Sequence, residues 1–302
     1  MRRAPRGMAL VQALLIVAAI AAVSMALLTR AEGARHRLYA RAQADQAALY
    51  LDAGVALVRL QLAAMPQGGA VHRGQAWAQE RHNRGIDAGT LSWRIDDLAG
   101  RFNVNAVADG AGVEGGTQHE ALVRLARAQG VTAAGAERLA NALSADLATR
   151  IAAAAPHLPP VLPVMHPQQL RYLLAGEGPA FDRLVPLLAA LPSDNPLNVN
   201  SLHPEVLAAL VPQAPESLRS ALLQAVREQP FLSAEDWADW TDALTDDDAQ
   251  LLTALEMEPR SHWFEVHLEA RLDSVALRRS VVLDMDASQG RGAVVLSLPA
   301  PE

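Results

Sequence analysis

The stretch MALVQALLIVAAIAAVSMALLT, residues 8–29, holds 22 amino acids without a charged side chain. An α-helix rises about 1.5 Å per residue, so a helix of this length would measure about 33 Å. The hydrocarbon core of a bilayer is about 30 Å thick. The stretch therefore predicts a helix that spans a membrane once.

Basic residues flank this apolar stretch on both sides and bear on its orientation. Three arginines precede it and three follow it closely: Arg2, Arg3 and Arg6, then Arg30, Arg35 and Arg37. Flanking basic residues favour the cytoplasmic side, so the first group places the N-terminus inside and the second group opposes this. A cleaved secretory signal is an alternative, although its apolar region ordinarily has only about 7–15 residues.

The residues after the apolar stretch continue its helical character. From Arg30 to Met65 there is no proline, and apolar residues recur at helical intervals. Pro66 and the glycines that follow it end the pattern. The sequence thus predicts one transmembrane and stalk helix over residues 8–65, about 85 Å long, half in the membrane and half packed on a soluble head. A membrane anchor followed by an unrelated amphipathic helix is the alternative.

The rest of the chain predicts a sheet interrupted by helices. Alternating apolar residues indicate one strand at 90–96 and three near the C-terminus, at 264–272, 281–285 and 293–298. Between Thr117 and Glu258 the alternation is absent and helix-capping signals occur, such as Ser233 followed by Asp236. The predicted fold class is α+β: a long N-terminal helix packed on a small antiparallel sheet, with a large all-helical insert. The α/β head would comprise residues 66–116 and 259–298, and the insert residues 117–258.

Composition and missing motifs argue against an enzyme. Hydrophobic residues make up 51% and charged residues 20%, which excludes a disordered chain. The sequence has no cysteine, so it can hold neither a thiolate metal site nor a cysteine nucleophile. HExxH, GxSxG and GxxxxGK[ST] motifs do not occur. We expect no enzymatic activity, and a single-pass membrane enzyme is an alternative without motif support.

Two short segments contain Asn-Val-Asn. The first, GRFNVN at residues 100–105, follows the strand at 90–96, and the second, NVNS at residues 198–201, precedes a helical stretch. Asparagine side chains in turns bond to nearby backbone groups. We therefore expect Asn103 and Asn105 to be structural rather than catalytic.

Together with the N-terminus, these segments resemble the K-class minor pseudopilins of type II secretion, from the leader to about Asp286. The leader MRRAPRG, residues 1–7, is short and basic and ends in glycine directly before the apolar stretch. By this resemblance it is a cleaved prepilin leader, cut between Gly7 and Met8. Gln12 occupies the position where most pseudopilins carry Glu and K-class subunits do not. Its amide cannot offset a neighbouring subunit's N-terminal ammonium as a carboxylate would.

The resemblance implies a non-enzymatic subunit at the tip of the type II secretion pseudopilus. Such a subunit starts assembly and supports the export of folded proteins across the outer membrane. The implied partners are the I- and J-class minor pseudopilins, the prepilin peptidase, the inner-membrane secretion platform and the exported proteins. The implied location is the bacterial inner membrane, with the N-terminus cytoplasmic and the head periplasmic. Nucleic acid is not an expected partner.

The resemblance suggests a bound calcium ion, but the residues of this chain do not support a calcium site. K-class pseudopilins commonly bind it through an acidic loop in the insert, and calcium requires about six to eight oxygen ligands. Residues 141–160 contain Asp146 as their only carboxylate. We therefore expect the calcium site to be lost, with no metal or cofactor bound. A second acidic cluster, residues 239–248, is explained by helix capping.

A DNA-binding module is the alternative function. Residues 198–210 are also similar to helix-hairpin-helix modules, which would make the chain a membrane-anchored, competence-like DNA-binding protein. Such modules approach a phosphate with a glycine-containing hairpin and basic surroundings. The corresponding hairpin, Val211–Pro215, has neither Gly nor Arg, and residues 101–302 carry 14 Arg against 26 acidic residues. Charge therefore argues against nucleic acid.

Overall fold

The computed structural model describes residues 6–66, 68–109, 112–113, 116–153, 164–273, 275–286 and 292–299. Over these residues the α-helices are α1 (Arg6–Ala63), α2 (Gln118–Ala128), α3 (Ala133–Ala153), α4 (Gly178–Leu184), α5 (Pro204–Leu210), α6 (Glu216–Glu228), α7 (Ala234–Asp242) and α8 (Asp246–Thr253). The strands are β1 (Arg81–Ile86), β2 (Gly89–Asp97), β3 (Phe102–Asn103), β4 (Gly112–Val113), β5 (Gly116–Thr117), β6 (Leu188–Ala189), β7 (Leu197–Asn198), β8 (Met257–Glu258), β9 (Trp263–Leu272), β10 (Val275–Asp284) and β11 (Ala293–Pro299). Short 3-10 helices cover Ala76–Ala78, Val104–Asp109, Pro167–Leu174, Val185–Leu187 and Val199–Ser201.

Helix α1 is continuous over 58 residues and would measure about 87 Å. It has no interior proline, and Pro66 follows shortly after its end. The membrane segment and the stalk are thus one helix rather than an anchor followed by a separate helix. The structure contains one helix that is long and apolar enough to cross a membrane within the described residues.

The end of α1 packs on a five-stranded antiparallel sheet with strand order β1-β2-β9-β10-β11. Leu51, Val58 and Leu62 of α1 are buried against the sheet residues Leu91 and Phe264. Burial of each such side chain contributes about 1.5–3 kcal/mol. Gly54 permits the close approach, because a Cβ at this position would lie 2.6 Å from a methyl group of Leu268.

The prediction of one strand before the insert is wrong, because β1 and the two-residue strands β3 and β4 also precede it. The residues of β1, RHNRGI, show no apolar alternation, since this edge strand is largely exposed. Its pairing with β2 is interrupted by a bulge, and Asn83 there has a φ of 48°. Strand β10 begins at Val275 rather than Val281, and Met285 falls beyond its end.

The insert is mainly helical, and its helices surround an apolar core of their own. The prediction that the insert is all-helical is wrong, because its described residues also contain the two-residue strands β6, β7 and β8. Strand β6 pairs in parallel with β3, and β7 pairs in parallel with β8. Sequence periodicity cannot reveal strands of two residues, since alternation needs at least four. These short strands lie where the insert joins the head.

Candidate functional site

The two Asn-Val-Asn segments have the same local structure. Each begins in a two-residue parallel strand and enters a 3-10 helix. Asn103 Oδ1 accepts a hydrogen bond from the Asn105 backbone N–H at 3.1 Å, and Asn198 Oδ1 accepts one from the Asn200 N–H at 3.0 Å. The structural role predicted for Asn103 and Asn105 is confirmed.

The second asparagine of each segment holds a distant part of the insert. Asn105 accepts a hydrogen bond from the Val164 N–H at 3.2 Å and donates to the Val164 carbonyl at 3.1 Å. Asn200 makes the same pair of bonds to Phe231, at 2.9 and 2.8 Å. Both asparagines are buried, so each satisfies backbone groups that water does not reach. Asn105 therefore ties the insert to the head, whereas Asn200 ties two parts of the insert together.

A cluster of four ionisable side chains and one serine hydroxyl lies beside the first of these segments and is here named the ionic junction. It consists of Asp96, Arg101, His166, Glu265 and Ser280. Arg101 donates to Glu265 and to Asp96, each at 3.1 Å. Ser280 Oγ donates to Glu265 at 2.6 Å. Strands β2, β9 and β10 are thereby joined through side chains that are largely buried.

His166 connects the insert to this cluster. Its Nδ1 accepts a hydrogen bond from the Gln168 backbone N–H at 3.2 Å, which caps the 3-10 helix Pro167–Leu174. Because Nδ1 is the acceptor, Nε2 carries the proton that it shares with Glu265 at 3.2 Å. The ring thus caps an insert helix and contacts the head at the same time.

The electrostatics of the ionic junction favour ionised carboxylates. Burial opposes ionisation of Glu265, but the hydrogen bond from His166 and the charges of His267 and Arg101 outweigh it and hold its pKa far below the ordinary value. Burial likewise opposes ionisation of Asp96, and a hydrogen bond from His267 together with the Arg101 charge keeps its pKa below the ordinary value. A general acid or base needs a pKa near the working pH, so this arrangement suits a structural tie.

Metal binding finds no support in the described side chains. Among them, no group of three or more His, Asp or Glu could hold a metal ion. In the acidic cluster at residues 239–248, Thr245 Oγ1 accepts from the Asp248 N–H at 3.3 Å and caps α8. Asp146 belongs to α3, and its side chain lies outside the described residues. The expected loss of calcium therefore stays a prediction.

The hairpin proposed for DNA contact exposes only the uncharged residues Pro212, Gln213 and Pro215. Val211 is fully buried and Ala214 is 3% exposed. Arg219, the nearest basic residue after the hairpin, donates to the Ala214 carbonyl and pairs with Glu216. The hairpin therefore offers no basic surface to a phosphate.

Helix α1 presents an apolar surface that no other described residue of the chain covers. Gly7 and Met8 lie in its first turn, and Gln12 is exposed one turn later. Every large apolar residue between Leu10 and Leu28 exposes more than half of its surface. The most apolar part of the helix has a mean hydropathy of 2.5 and is 0% buried.

A second exposed apolar surface follows on the stalk and is here named the stalk stripe. It consists of Leu38, Leu49 and Leu60, which are 69, 68 and 71% exposed. Residues 11 apart lie about three full turns from one another, so the three leucines share one face of α1. That face lies opposite the buried residues Leu51 and Val58. Exposed apolar surfaces of this kind mark interaction sites.

Comparison with known proteins gives relatives for this architecture. No family model matches the chain. The type II secretion system protein K of Pseudomonas aeruginosa is 29% identical over 258 residues, which cover 78% of this chain and 77% of that protein. The structure also matches a chain of the crystal structure of the GspK-GspI-GspJ complex from the enterotoxigenic Escherichia coli type 2 secretion system. The TM-score is 0.66 at 19% identity, covering 88% of this chain and 100% of that chain.

In sequence the chain is similar to a type II secretion system protein K, and its fold is similar to that of a chain in the GspK-GspI-GspJ complex. In this fold the ionic junction and the two Asn-Val-Asn segments attach the insert to the head, and α1 connects the head to an apolar segment long enough to cross a membrane. The described residues thus combine a head whose buried carboxylates are paired within the chain with a helix whose apolar surface is largely exposed.

Proposed function

We propose that this chain is a minor pseudopilin at the tip of the type II secretion pseudopilus. There it starts assembly with I- and J-class minor pseudopilins and supports the export of folded proteins across the outer membrane. The observation that carries the proposal is the apolar surface of α1, which runs from the membrane segment to the stalk stripe without cover. Lipid can cover the membrane segment, but the stalk stripe lies outside the bilayer and needs protein.

The partner best suited to the stalk stripe is the stalk helix of another pseudopilin. Leu38, Leu49 and Leu60 alternate along their face with small residues, including Ala42 and Ala53. Large and small side chains in such a row let a second helix pack closely by fitting ridges into grooves. The relative in the GspK-GspI-GspJ complex supports I- and J-class subunits as the source of that helix.

The tip position is supported by Gln12 and by the width of the head. An amide at Gln12 makes a weaker bond than a carboxylate to the N-terminal ammonium of a neighbour, which suits a subunit with no further subunit stacked above it. The insert broadens the head for the same role. The subunit acts by assembly and not by catalysis, and the expected absence of calcium belongs to this proposal.

The maturation and location of the subunit complete the proposal. The prepilin peptidase removes residues 1–7, so the mature chain begins at methylated Met8. Before assembly the subunit waits in the inner membrane beside the secretion platform, with its N-terminus cytoplasmic and its head periplasmic. Intact-mass analysis of the membrane form tests this step, and a mature start after residue 25 would support a secretory signal instead.

Co-purification tests the assembly role directly. The full chain is co-expressed with the I- and J-class subunits of the same organism, and a Leu49→Gln, Leu60→Gln double variant is compared with wild type. We expect the wild type to retain both partners and the double variant to lose at least one. Leu232→Gln is the matched control, because Leu232 is 58% exposed on the insert. Equal retention by both variants would contradict the assignment of the stalk stripe.

A further inference from the structure

Four arginines lie on α1 directly after the membrane segment and are here named the basic collar: Arg30, Arg35, Arg37 and Arg41. All four are exposed. Within the described part of the chain, none has a carboxylate at ion-pair distance. Glu32 is the only acidic residue between Arg30 and Arg41, so this short segment carries an excess of positive charge.

Many arginines of the head and insert are ion-paired, although others, such as Arg84 and Arg227, are exposed and have no acidic partner among the described residues. The paired arginines include Arg94, Arg101, Arg171, Arg260 and Arg279. Several of these pairs are as exposed to solvent as the collar, so exposure alone does not explain the missing partners. The collar instead concentrates one sign of charge at one place, as a surface does that binds an anion from outside the chain.

Helix geometry places the collar at the membrane surface. Counted from Thr29, the last apolar position, the backbone of Arg30 lies at about 2 Å, Arg35 at about 9 Å and Arg37 at about 12 Å along the axis. The headgroup layer on each side of the hydrocarbon core is about 5–8 Å thick. Side chains of a helix tilt toward its N-terminus, here toward the membrane, so Arg35 and Arg37 reach back to the headgroups. Arg41, at about 18 Å, lies beyond them.

We propose that Arg30, Arg35 and Arg37 bind the phosphate groups of anionic phospholipids in the leaflet next to the head. Guanidinium groups bind phosphate through two parallel hydrogen bonds, and insertion of α1 brings such phosphates to the collar. This inference rests on the membrane anchorage in the proposed function and adds the class of lipid. A consequence is that lipid contacts must break when the subunit leaves the membrane, so the collar retains the subunit there until assembly.

A lipid-binding measurement on the full chain tests the proposal. The protein is held in uncharged detergent micelles and titrated with phosphatidylglycerol, and bound lipid is counted by native mass spectrometry. Phosphatidylcholine serves as the zwitterionic comparison. We expect wild type to prefer phosphatidylglycerol, and an Arg30→Gln, Arg35→Gln, Arg37→Gln triple variant to bind it about 100-fold more weakly. That figure corresponds to about fivefold for each arginine near the surface.

Two single variants serve as controls for charge. Arg41→Gln lies on the same helix farther from the membrane, and Arg227→Gln removes an exposed arginine from the insert. We expect Arg41→Gln to lower affinity by less than threefold and Arg227→Gln to leave it unchanged, because screening weakens charges beyond about 8–10 Å. An unchanged preference in the triple variant would overturn the proposal. If Arg227→Gln lowered the affinity for phosphatidylglycerol as much as the triple variant does, the proposal would also be overturned, because net charge alone would then determine lipid binding.

Free phosphate is the other source of the same chemistry. Millimolar inorganic phosphate is added to the wild type with bound phosphatidylglycerol, and we expect the lipid to remain bound. Release of lipid by phosphate at such concentrations would overturn the assignment to lipid. Co-purification of the triple variant with I- and J-class subunits separates the two proposals. If wild type prefers the anionic lipid but does not bind its partners, only the proposed function is contradicted. If it binds its partners without a lipid preference, only the lipid inference is contradicted.

Discussion

The stalk and the ionic junction differ in whether their side chains find partners within the chain. At the ionic junction Arg101 and Glu265 are both buried, and each carboxylate oxygen of Glu265 receives hydrogen bonds. On the stalk, Leu49 and Leu60 are among the most exposed apolar residues, and Arg37 has no acidic partner among the described residues. The junction's carboxylates therefore find their partners within one molecule, whereas we propose that lipid and other subunits cover the stalk.

Removal of Arg101, the cation of the ionic junction, should have the largest effect on the stability of the protein. We expect Arg101→Met to lower the free energy of unfolding by about 3–5 kcal/mol, because it leaves the buried Glu265 and Asp96 without their shared cation. Chemical denaturation of the full chain in detergent measures this. Arg278→Met is the control, since its ion pair with Glu269 is at the surface and is worth about 1 kcal/mol or less. Similar losses of unfolding free energy in both variants would mean that the ionic junction contributes no more to stability than a surface ion pair.

A charge in the middle of the membrane segment should have the next largest effect. Ala19→Arg places a cation at mid-span, which costs about 2.5 kcal/mol or more on insertion scales. We expect the variant to be lost from the membrane fraction on cell fractionation. Ala40→Arg, at an exposed stalk position, should fractionate like wild type. Normal retention of Ala19→Arg would count against a spanning helix.

Acid should weaken the junction more than the stalk. The pKa of Glu265 is lowered in the folded state, so its ionised form adds stability that is present above its ordinary pKa of 4.5 and is lost as pH falls below it. The loss for one such group is at most about 1.4 kcal/mol per pH unit. Denaturation curves between pH 3 and pH 7 should show this fall, and Glu265→Gln should flatten it. A fall of the same steepness in both proteins would exclude Glu265 as its source.

Calcium should have the smallest effect of all. An ion that binds only the folded state at about 100 times its Kd adds about 2.7 kcal/mol, which raises the melting temperature by several degrees. Because residues 141–160 hold only Asp146, we expect thermal melts with millimolar calcium and with excess chelator to agree within about 5 °C. A larger gap would direct mutagenesis to the aspartates at residues 239–248.

The helices and strands whose residues follow a regular apolar pattern were predictable from the sequence. The uncharged run at residues 8–29 indicates the apolar helix, and alternation at residues 264–272 indicates β9. Strand β1 was missed because both of its faces meet solvent, so no alternation is required of RHNRGI. The two-residue strands were missed because their pairing depends on residues far apart in sequence.

The ionic junction was missed for a related reason. In β9 the apolar residues Phe264 and Val266 occupy one face, and Glu265 falls on the other, which alternation assigns to solvent. The insert covers that face, and His166 reaches it from 99 residues away along the chain. The Asn-Val-Asn turns were predictable as turns, because their bonds within the segment are local. Their contacts to Val164 and Phe231 depend on tertiary structure.

The continuity of α1 has a mechanical consequence. Hydrogen bonds along the axis make a helix stiff in compression, so a displacement of the membrane end is transmitted to the sheet nearly undiminished. The two glycines in its interior differ in this respect. Gly54 is held against Leu268, whereas Gly33 lies between the membrane segment and the head, where glycine weakens a helix by about 1 kcal/mol relative to alanine. Bending should therefore concentrate at Gly33. The head can then tilt about this residue while the helix still transmits axial force.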